Sequence, residues 1–190
     1  MKKAISVYGV SLAKQIAFTA VFAALCCVST LLVSIPLPAS GYFNTGDVFV
    51  LLSGWCLGPL YGSVAAAVGS ALADIFSGYA LYAPATFLIK GMDAFVAYMG
   101  WVFFKKFIGK PTLDFLPRLL SVLFGEAVMV GGYFLFESLI LGLGLGAVPN
   151  VFGNALQAVC CGVLAVLLIA ALYPVKSVQR LFPALGDERQ

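Results

Sequence analysis

Charge and catalytic side chains are what this chain lacks. It has no histidine, so the commonest metal ligand and the commonest general base are both missing. Charged residues make up only 10% of it, against about 25% for a soluble domain. No CxxC or other metal-type spacing occurs among its cysteines. Four of the five stand as adjacent pairs, Cys26–Cys27 and Cys160–Cys161, inside apolar runs, where they read as small packing residues. There is no P-loop: the Gly109-Lys110 pair is followed by proline, and position 104, where the first glycine of the motif would stand, is Phe104. No HExxH, GxSxG or kinase-like set is present, and no nucleophile–base pair is visible, so no enzyme activity is expected. The net charge of +3 is spread without interleaved aromatics, which argues against nucleic-acid binding.

What the sequence has in abundance is apolar surface. Hydrophobic residues form 62% of it, and the mean hydropathy is +1.05. A water-soluble globule could not be covered with so little polar surface, so the chain belongs in a membrane. The expected fold class is an all-α membrane protein, a single bundle of six transmembrane helices over residues 1–190. The spans are placed at about 15–35, 43–58, 61–78, 84–104, 115–141 and 150–173, each measured against a hydrocarbon core of about 30 Å.

One placement needed a decision. No charge separates Asp47 from Asp74, which fits one long helix or two short ones. A single helix would put Lys105, Lys106 and Lys110 on the face opposite Lys2, Lys3 and Lys14, against the tendency of Lys and Arg to stay cytoplasmic. Two short helices turning at Gly58-Pro59-Leu-Tyr-Gly62 restore the bias. Ten of the eleven Lys and Arg residues then share the cytoplasmic side with both termini, Lys90 being the exception. The stretch over residues 1–13 superficially resembles a signal peptide but reads as a cytoplasmic lead-in, because Lys14 interrupts it.

An ionisable group inside a bilayer costs at least roughly 2.5–3.5 kcal/mol, so it marks a site by default. Asp47, Asp74, Lys90, Asp93, Glu126 and Glu137 are such groups, and all but Glu126 fall in the outer half of their spans. Glu126, Tyr133 and Glu137 share one helix stripe (i, i+7, i+11). Asn150, Asn154 and Gln157 share another (i, i+4, i+7). With Tyr42, Phe43, Tyr79 and Tyr82 in the loops above, they describe an outward polar pocket with an aromatic rim, suited to a small ring-bearing solute. The candidate substrate-binding residues are Asn44, Asp47, Tyr79, Tyr82, Lys90, Glu126, Tyr133, Asn150, Asn154 and Gln157. Plainer readings stand beside these. Lys90 can pair with Asp93 or Asp74, Asp47 can cap a helix, Glu137 can reach water, and the loop tyrosines can anchor the interface. The acid-rich pocket favours a neutral or cationic ligand over a dianion.

Ala13, Ala17, Ala20 and Ala24 form a small-residue stripe on the first span, and Gly62, Ala66, Gly69 and Ala73 form one on the third. Such stripes let helix backbones approach closely in lipid. The third-span stripe reads as internal packing; the first-span stripe suits either packing or docking to another membrane subunit.

The ordered set Asn44-Thr-Gly-Asp47, Gly58-Pro59-Leu-Tyr-Gly62, Gly69-Ser-Ala-Leu-Ala-Asp74, Gly78-Tyr79, Tyr82-Ala-Pro84 and Thr86-Phe-Leu-Ile-Lys90-Gly91 resembles the substrate-binding S components of energy-coupling factor (ECF) importers, in particular the riboflavin-type group. That group is also associated with hydroxymethylpyrimidine or pyridoxine-like substrates. The resemblance is carried by residues 40–95. It implies a multi-pass protein of a cell membrane, such as a bacterial plasma membrane, which binds a vitamin in its outer half and needs no cofactor. It also implies a transmembrane T subunit and two ATPase subunits as partners, a T-subunit contact at Ala20 and Ala24, extended to Ala17, and toppling in the membrane to release the vitamin inward. The alternative is an ion-coupled secondary transporter with Glu126 as its proton site.

Overall fold

A computed structural model describes residues 11–37, 41–108, 114–182 and 185. The lead-in to residue 10, Pro38, and the bases Lys2, Lys3, Lys110 and Arg189 lie outside the described residues. The chain is mostly helical. Helix α1 (Leu12–Leu32) leads into a short antiparallel hairpin, β1 (Ser34–Pro36) with β2 (Tyr42–Asn44), in the register Ser34↔Asn44, Ile35↔Phe43, Pro36↔Tyr42. Then come α2 (Asp47–Phe76), α3 (Ala83–Ile108), α4 (Phe115–Leu135), a π-helical turn over Phe136–Ile140, a 3₁₀ turn over Gly144–Ala147, α5 (Val148–Leu172) and the short α6 (Lys176–Leu181). Five of these helices are long and apolar enough to cross a membrane.

The hairpin differs from the expectation of helix as far as residue 35. Helix α1 ends at Leu32, four residues before Pro36, and Val33 and the strand behind it are extended. The residue before a proline is driven out of the helical region, and Val and Ile favour extended backbone. The all-helical expectation therefore gains a two-stranded element at one end of the bundle.

Helix α2 is one element only in name. Gly58, with φ 81° and ψ −178°, breaks it, and Pro59 follows. The two limbs then fold back on each other. The Ser53 hydroxyl donates to the Gly62 carbonyl at 3.0 Å, whereas nine helical residues would span about 13 Å. A Cβ on Gly62 would collide with the Ser53 carbonyl, so only glycine fits that close approach. The reversal brings the two ends of α2 to the same end of the bundle. Tyr42, five residues before Asp47, donates its hydroxyl to Asp74 at 2.6 Å.

Helix α2 lies at the centre, packed on α1, α3 and α5; α3 packs on α4, and α4 on α5. The core joins Leu51, Trp55, Ala65, Ala97, Trp101, Cys161, Val166 and Ile169. Leu185 is also buried in it, and Phe182 packs its ring 5.0 Å from Phe18 and 5.8 Å from Phe22, so the C-terminal segment folds against α1. Outward-facing Leu, Phe, Val and Ile cover the helices, as lipid contact requires.

At the end opposite the hairpin stands a buried clamp. Asp114 accepts from Arg118 Nε at 2.8 Å and from Trp101 Nε1 at 2.9 Å. The Arg118 guanidinium lies 4.1 Å from the Trp101 ring centroid and 5.2 Å from that of Trp55. This arginine, counted in the sequence among the cytoplasmic-side bases, is 2% exposed and ties α2, α3 and α4 together.

Candidate functional site

The hairpin end of the bundle holds a cavity with about 340 Å³ of space, part of it open to solvent. Leu37, Gly41, Tyr42 and Asn44 come to it from the hairpin, Asp74 from the end of α2, and Tyr82 and Thr86 from the start of α3. Tyr133 and Glu137 come from the end of α4 and the π-turn, and Asn154 and Gln157 from α5. A larger hollow at the opposite end, about 460 Å³, is lined by Phe115, Val166, Ile169 and Ala170 beside the Arg118 clamp. The hairpin-end cavity is the better candidate, because side-chain amides, hydroxyls and carboxyls converge on it from five separate segments.

Its floor is a hydrogen-bonded chain. Lys90 is ion-paired with Asp47 Oδ1. Asp47 Oδ2 accepts from Gln157 Nε2 at 2.6 Å, and Gln157 Oε1 accepts from the Asn44 backbone N–H at 2.7 Å. Asn44 Oδ1 in turn accepts from the Gly46 N–H at 2.9 Å. Four elements, α3, α2, α5 and β2, are thus pinned at one level. A buried ion pair is tolerated only where further hydrogen bonds satisfy it, and here Gln157 supplies one.

The walls are aromatic. Ring centroids run from Tyr42 to Tyr79 at 4.8 Å, Tyr79 to Tyr82 at 6.2 Å and Tyr82 to Tyr133 at 6.4 Å. Each hydroxyl of the lining has a polar partner: Tyr42 donates to Asp74, Tyr82 donates to Glu137 Oε1 at 3.2 Å, and Tyr133 shares a hydrogen bond with Thr86 Oγ1 at 2.9 Å. Burial, and then the neighbouring Asp74 carboxylate, push the Tyr42 hydroxyl above its ordinary pKa, which keeps it a donor.

Five of the sequence-predicted residues line the cavity: Asn44, Tyr82, Tyr133, Asn154 and Gln157. Four stand one step behind. Asp47 and Lys90 act through Gln157, Asn150 donates to Glu137 Oε2 at 3.0 Å, and Tyr79 packs between Tyr42 and Tyr82. Glu126 lies apart from the lining, 3% exposed, with neither carboxylate oxygen hydrogen-bonded among the described residues. Lys90 takes Asp47 as its partner, and the Asp93 carboxylate has no hydrogen-bond partner among the described residues. Glu137, read as a group that could reach water, is 2% exposed and bonded inside. Leu37, Gly41 and Thr86 were missed. Thr86 had a signal, since Tyr82, Thr86 and Lys90 recur at i, i+4 and i+8 on one helix face.

The first-span small stripe also has a place. Ala13, Ala17, Ala20 and Ala24 are all exposed, while Phe22, Ala23, Cys26 and Cys27 face the bundle. Gly62, Ala66, Gly69 and Ala73 are all buried within it.

Long apolar helices around a cavity walled by polar groups define a multi-pass membrane protein that holds a small solute. The family model for the ECF-type riboflavin transporter S component matches residues 11–174. A Pyrococcus woesei protein described as an uncharacterized protein in gap 3′ region is 41% identical over 133 residues, which is 70% of this chain and 83% of that protein. The chain belongs to the ECF-type riboflavin transporter S component family. It is a substrate-binding membrane component of a transporter and not an enzyme.

Proposed function

We propose that the chain captures a vitamin or vitamin precursor from outside the cell in the hairpin-end cavity, and passes it on in concert with a T subunit and two ATPase subunits. The observation that carries this reading is the cavity itself. Tyrosine rings stack around one end of the bundle, over a floor held rigid by the Lys90–Asp47–Gln157–Asn44 chain. Preorganised polar groups in an apolar surround give a small solute orientation and specificity. The ligand class is a riboflavin-, hydroxymethylpyrimidine/thiamine- or pyridoxine-type compound. Asn44, Tyr82, Tyr133, Asn154 and Gln157 contact it, while Asp47, Tyr79, Lys90 and Asn150 position them.

In this reading each limb of α2 makes its own crossing, giving six crossings with both termini in the cytoplasm. Support comes from charge. Lys105, Lys106, Arg118, Lys176 and Arg180 lie at helix ends remote from the cavity, as the positive-inside tendency requires when the cavity faces out. The exposed alanine stripe of α1 is the docking face for the T subunit, with Ala17, Ala20 and Ala24 at its centre. Extraction of the purified protein, followed by mass spectrometry of the released small molecules, tests the capture role. Recovery of a stoichiometric vitamin-like solute is expected, and a preparation that neither carries nor binds one overturns it.

A second reading has one observation behind it. The buried Glu126 carboxylate, without a hydrogen-bond partner among the described residues, is suited to holding a proton, which would allow ion-coupled transport. Uptake into vesicles that contain this chain alone, driven by a pH gradient, distinguishes the two.

A further inference from the structure

The cavity wall carries two carboxyl groups, Asp74 and Glu137, and no Lys or Arg. The base that the sequence suggested for it, Lys90, is 2% exposed and committed to Asp47, so it offers nothing to a ligand. The two acids are not equivalent. Both oxygens of Glu137 are engaged, one by Tyr82 and one by Asn150. Asp74 accepts from Tyr42 through Oδ1, and the Thr86 hydroxyl stands close to the same carboxylate. Its Oδ2 has no hydrogen-bond partner among the described residues, although the side chain is 4% exposed and lines the cavity. A buried carboxylate oxygen without a donor is costly, and a ligand donor would relieve it.

The approach to the cavity offers no cation either. Residues 15–89 and 119–175 contain no Lys or Arg. These stretches include the hairpin, the turn before α3 and the turns before α5, which together surround the mouth. The faces of Tyr42 and Tyr82 in the wall attract cations as well, whereas the Tyr133 ring already has the Lys90 ammonium 5.5 Å from its centroid. An anionic solute, such as a phosphate ester or a dicarboxylate, would have to give up its hydration to a wall that returns no cation.

We infer that the solute captured here carries a positively charged or protonated nitrogen, and that this nitrogen pairs with Asp74 Oδ2. The inference rests on the solute-capture reading of the cavity and narrows it to cationic ring compounds, with Asp74 as the residue that reads the charge.

Equilibrium binding to the purified full chain tests it with probes that differ in charge. Pyridoxamine, pyridoxine and pyridoxal 5′-phosphate share one ring and bear an ammonium, a hydroxyl and a phosphate. Thiamine supplies a permanent cation, and riboflavin a neutral ring system. At least one cationic probe is expected to bind about tenfold or more tightly than the neutral and anionic ones, as a charge-assisted hydrogen bond allows. Asp74→Asn should abolish that margin and Asp74→Glu should keep part of it, both melting somewhat below the parent because the Tyr42 bond is weakened, whereas Tyr42→Phe, which loses that bond but keeps the carboxylate, should keep the margin. A neutral or anionic probe that binds best, or a margin untouched by Asp74→Asn, overturns the inference and leaves solute capture standing. The charge of any co-purified solute decides in the same way. If no probe binds and no solute co-purifies, the capture reading fails, and this inference fails with it.

Discussion

Tyr42 and Asp74, 32 residues apart, share a buried 2.6 Å hydrogen bond that fastens the β1–β2 hairpin to the far end of α2. The hairpin lies across the cavity and contributes four of its lining residues, so this bond holds one wall in place. Tyr42→Phe removes the donor and leaves Asp74 buried. A hydrogen bond to a charged acceptor contributes about 1.5–3 kcal/mol, so a lower melting temperature in detergent is expected. Bound solute should dissociate faster while the rate of association changes little. Stopped-flow release of a bound solute measures both, and a variant that melts and releases like the parent would show that the hairpin is held by its backbone alone.

The floor is more demanding. Breaking one partner of a buried ion pair costs about 3–5 kcal/mol, because the other charge is stranded. Lys90→Met and Asp47→Asn are each expected to destabilise strongly, and Asp47→Asn also weakens the grip on Gln157. The double variant Lys90→Met with Asp47→Asn strands no charge and should recover a large share of the loss. Thermal unfolding of these three variants beside the parent forms a double-mutant cycle, and strictly additive losses would show that the pair is not coupled.

Much of this site was legible because lipid makes polar groups conspicuous. Asn150, Asn154 and Gln157 fall on one stripe of an otherwise apolar segment, and all three are buried on the inner face of α5. Charge parity likewise required a reversal near Gly58, and there the backbone breaks. What escaped has local causes. Ser34–Pro36 continues an apolar run, and a three-residue strand is too short to show alternation. Leu37 and Gly41 were therefore lost to the site. The partner of Lys90 was also out of reach. Asp93 and Asp74 are close in sequence or in depth, but Asp47 is the one that packing delivers, and no spacing rule connects residues 43 positions apart. The burial of Arg118 was out of reach as well. Its place near the start of a span marks a side of the membrane, and does not reveal the facing Trp55 and Trp101 rings that make its burial tolerable.

The reversal in α2 is open to direct test. Gly58 adopts a backbone region essentially reserved for glycine, so Gly58→Ala should cost about 1–3 kcal/mol. Gly62→Ala places a methyl group against the Ser53 carbonyl, and overpacking of this kind costs about 1–3 kcal/mol. Both ends of α2 serve the cavity, so a splayed hairpin should also weaken solute binding, although neither glycine touches the site. Melting temperature and solute affinity are the readouts. A Gly62→Ala protein with unchanged melting and unchanged affinity would mean that the limbs separate freely.

The α1 stripe separates capture from delivery. Ala20 and Ala24 face away from the bundle, and the residues that pack inward, Phe22, Ala23, Cys26 and Cys27, occupy the opposite side of the helix. Ala20→Trp or Ala24→Trp therefore adds bulk on a surface that meets lipid in the isolated chain. Melting temperature and solute affinity should stay close to the parent values, since surface substitutions usually fall within about 0.5 kcal/mol. A docking helix behaves differently. Close backbone approach between membrane helices depends on small side chains, so one indole at the contact should expel the T subunit. Co-purification with a T subunit and ATP-driven uptake in reconstituted vesicles should both be lost while binding persists. Leu25→Ala, next to Ala24 and also exposed, is the control that trims bulk instead of adding it, and it should leave uptake intact. If the Trp variants transport normally, the docking face lies elsewhere, and the stripe is only a lipid-facing surface.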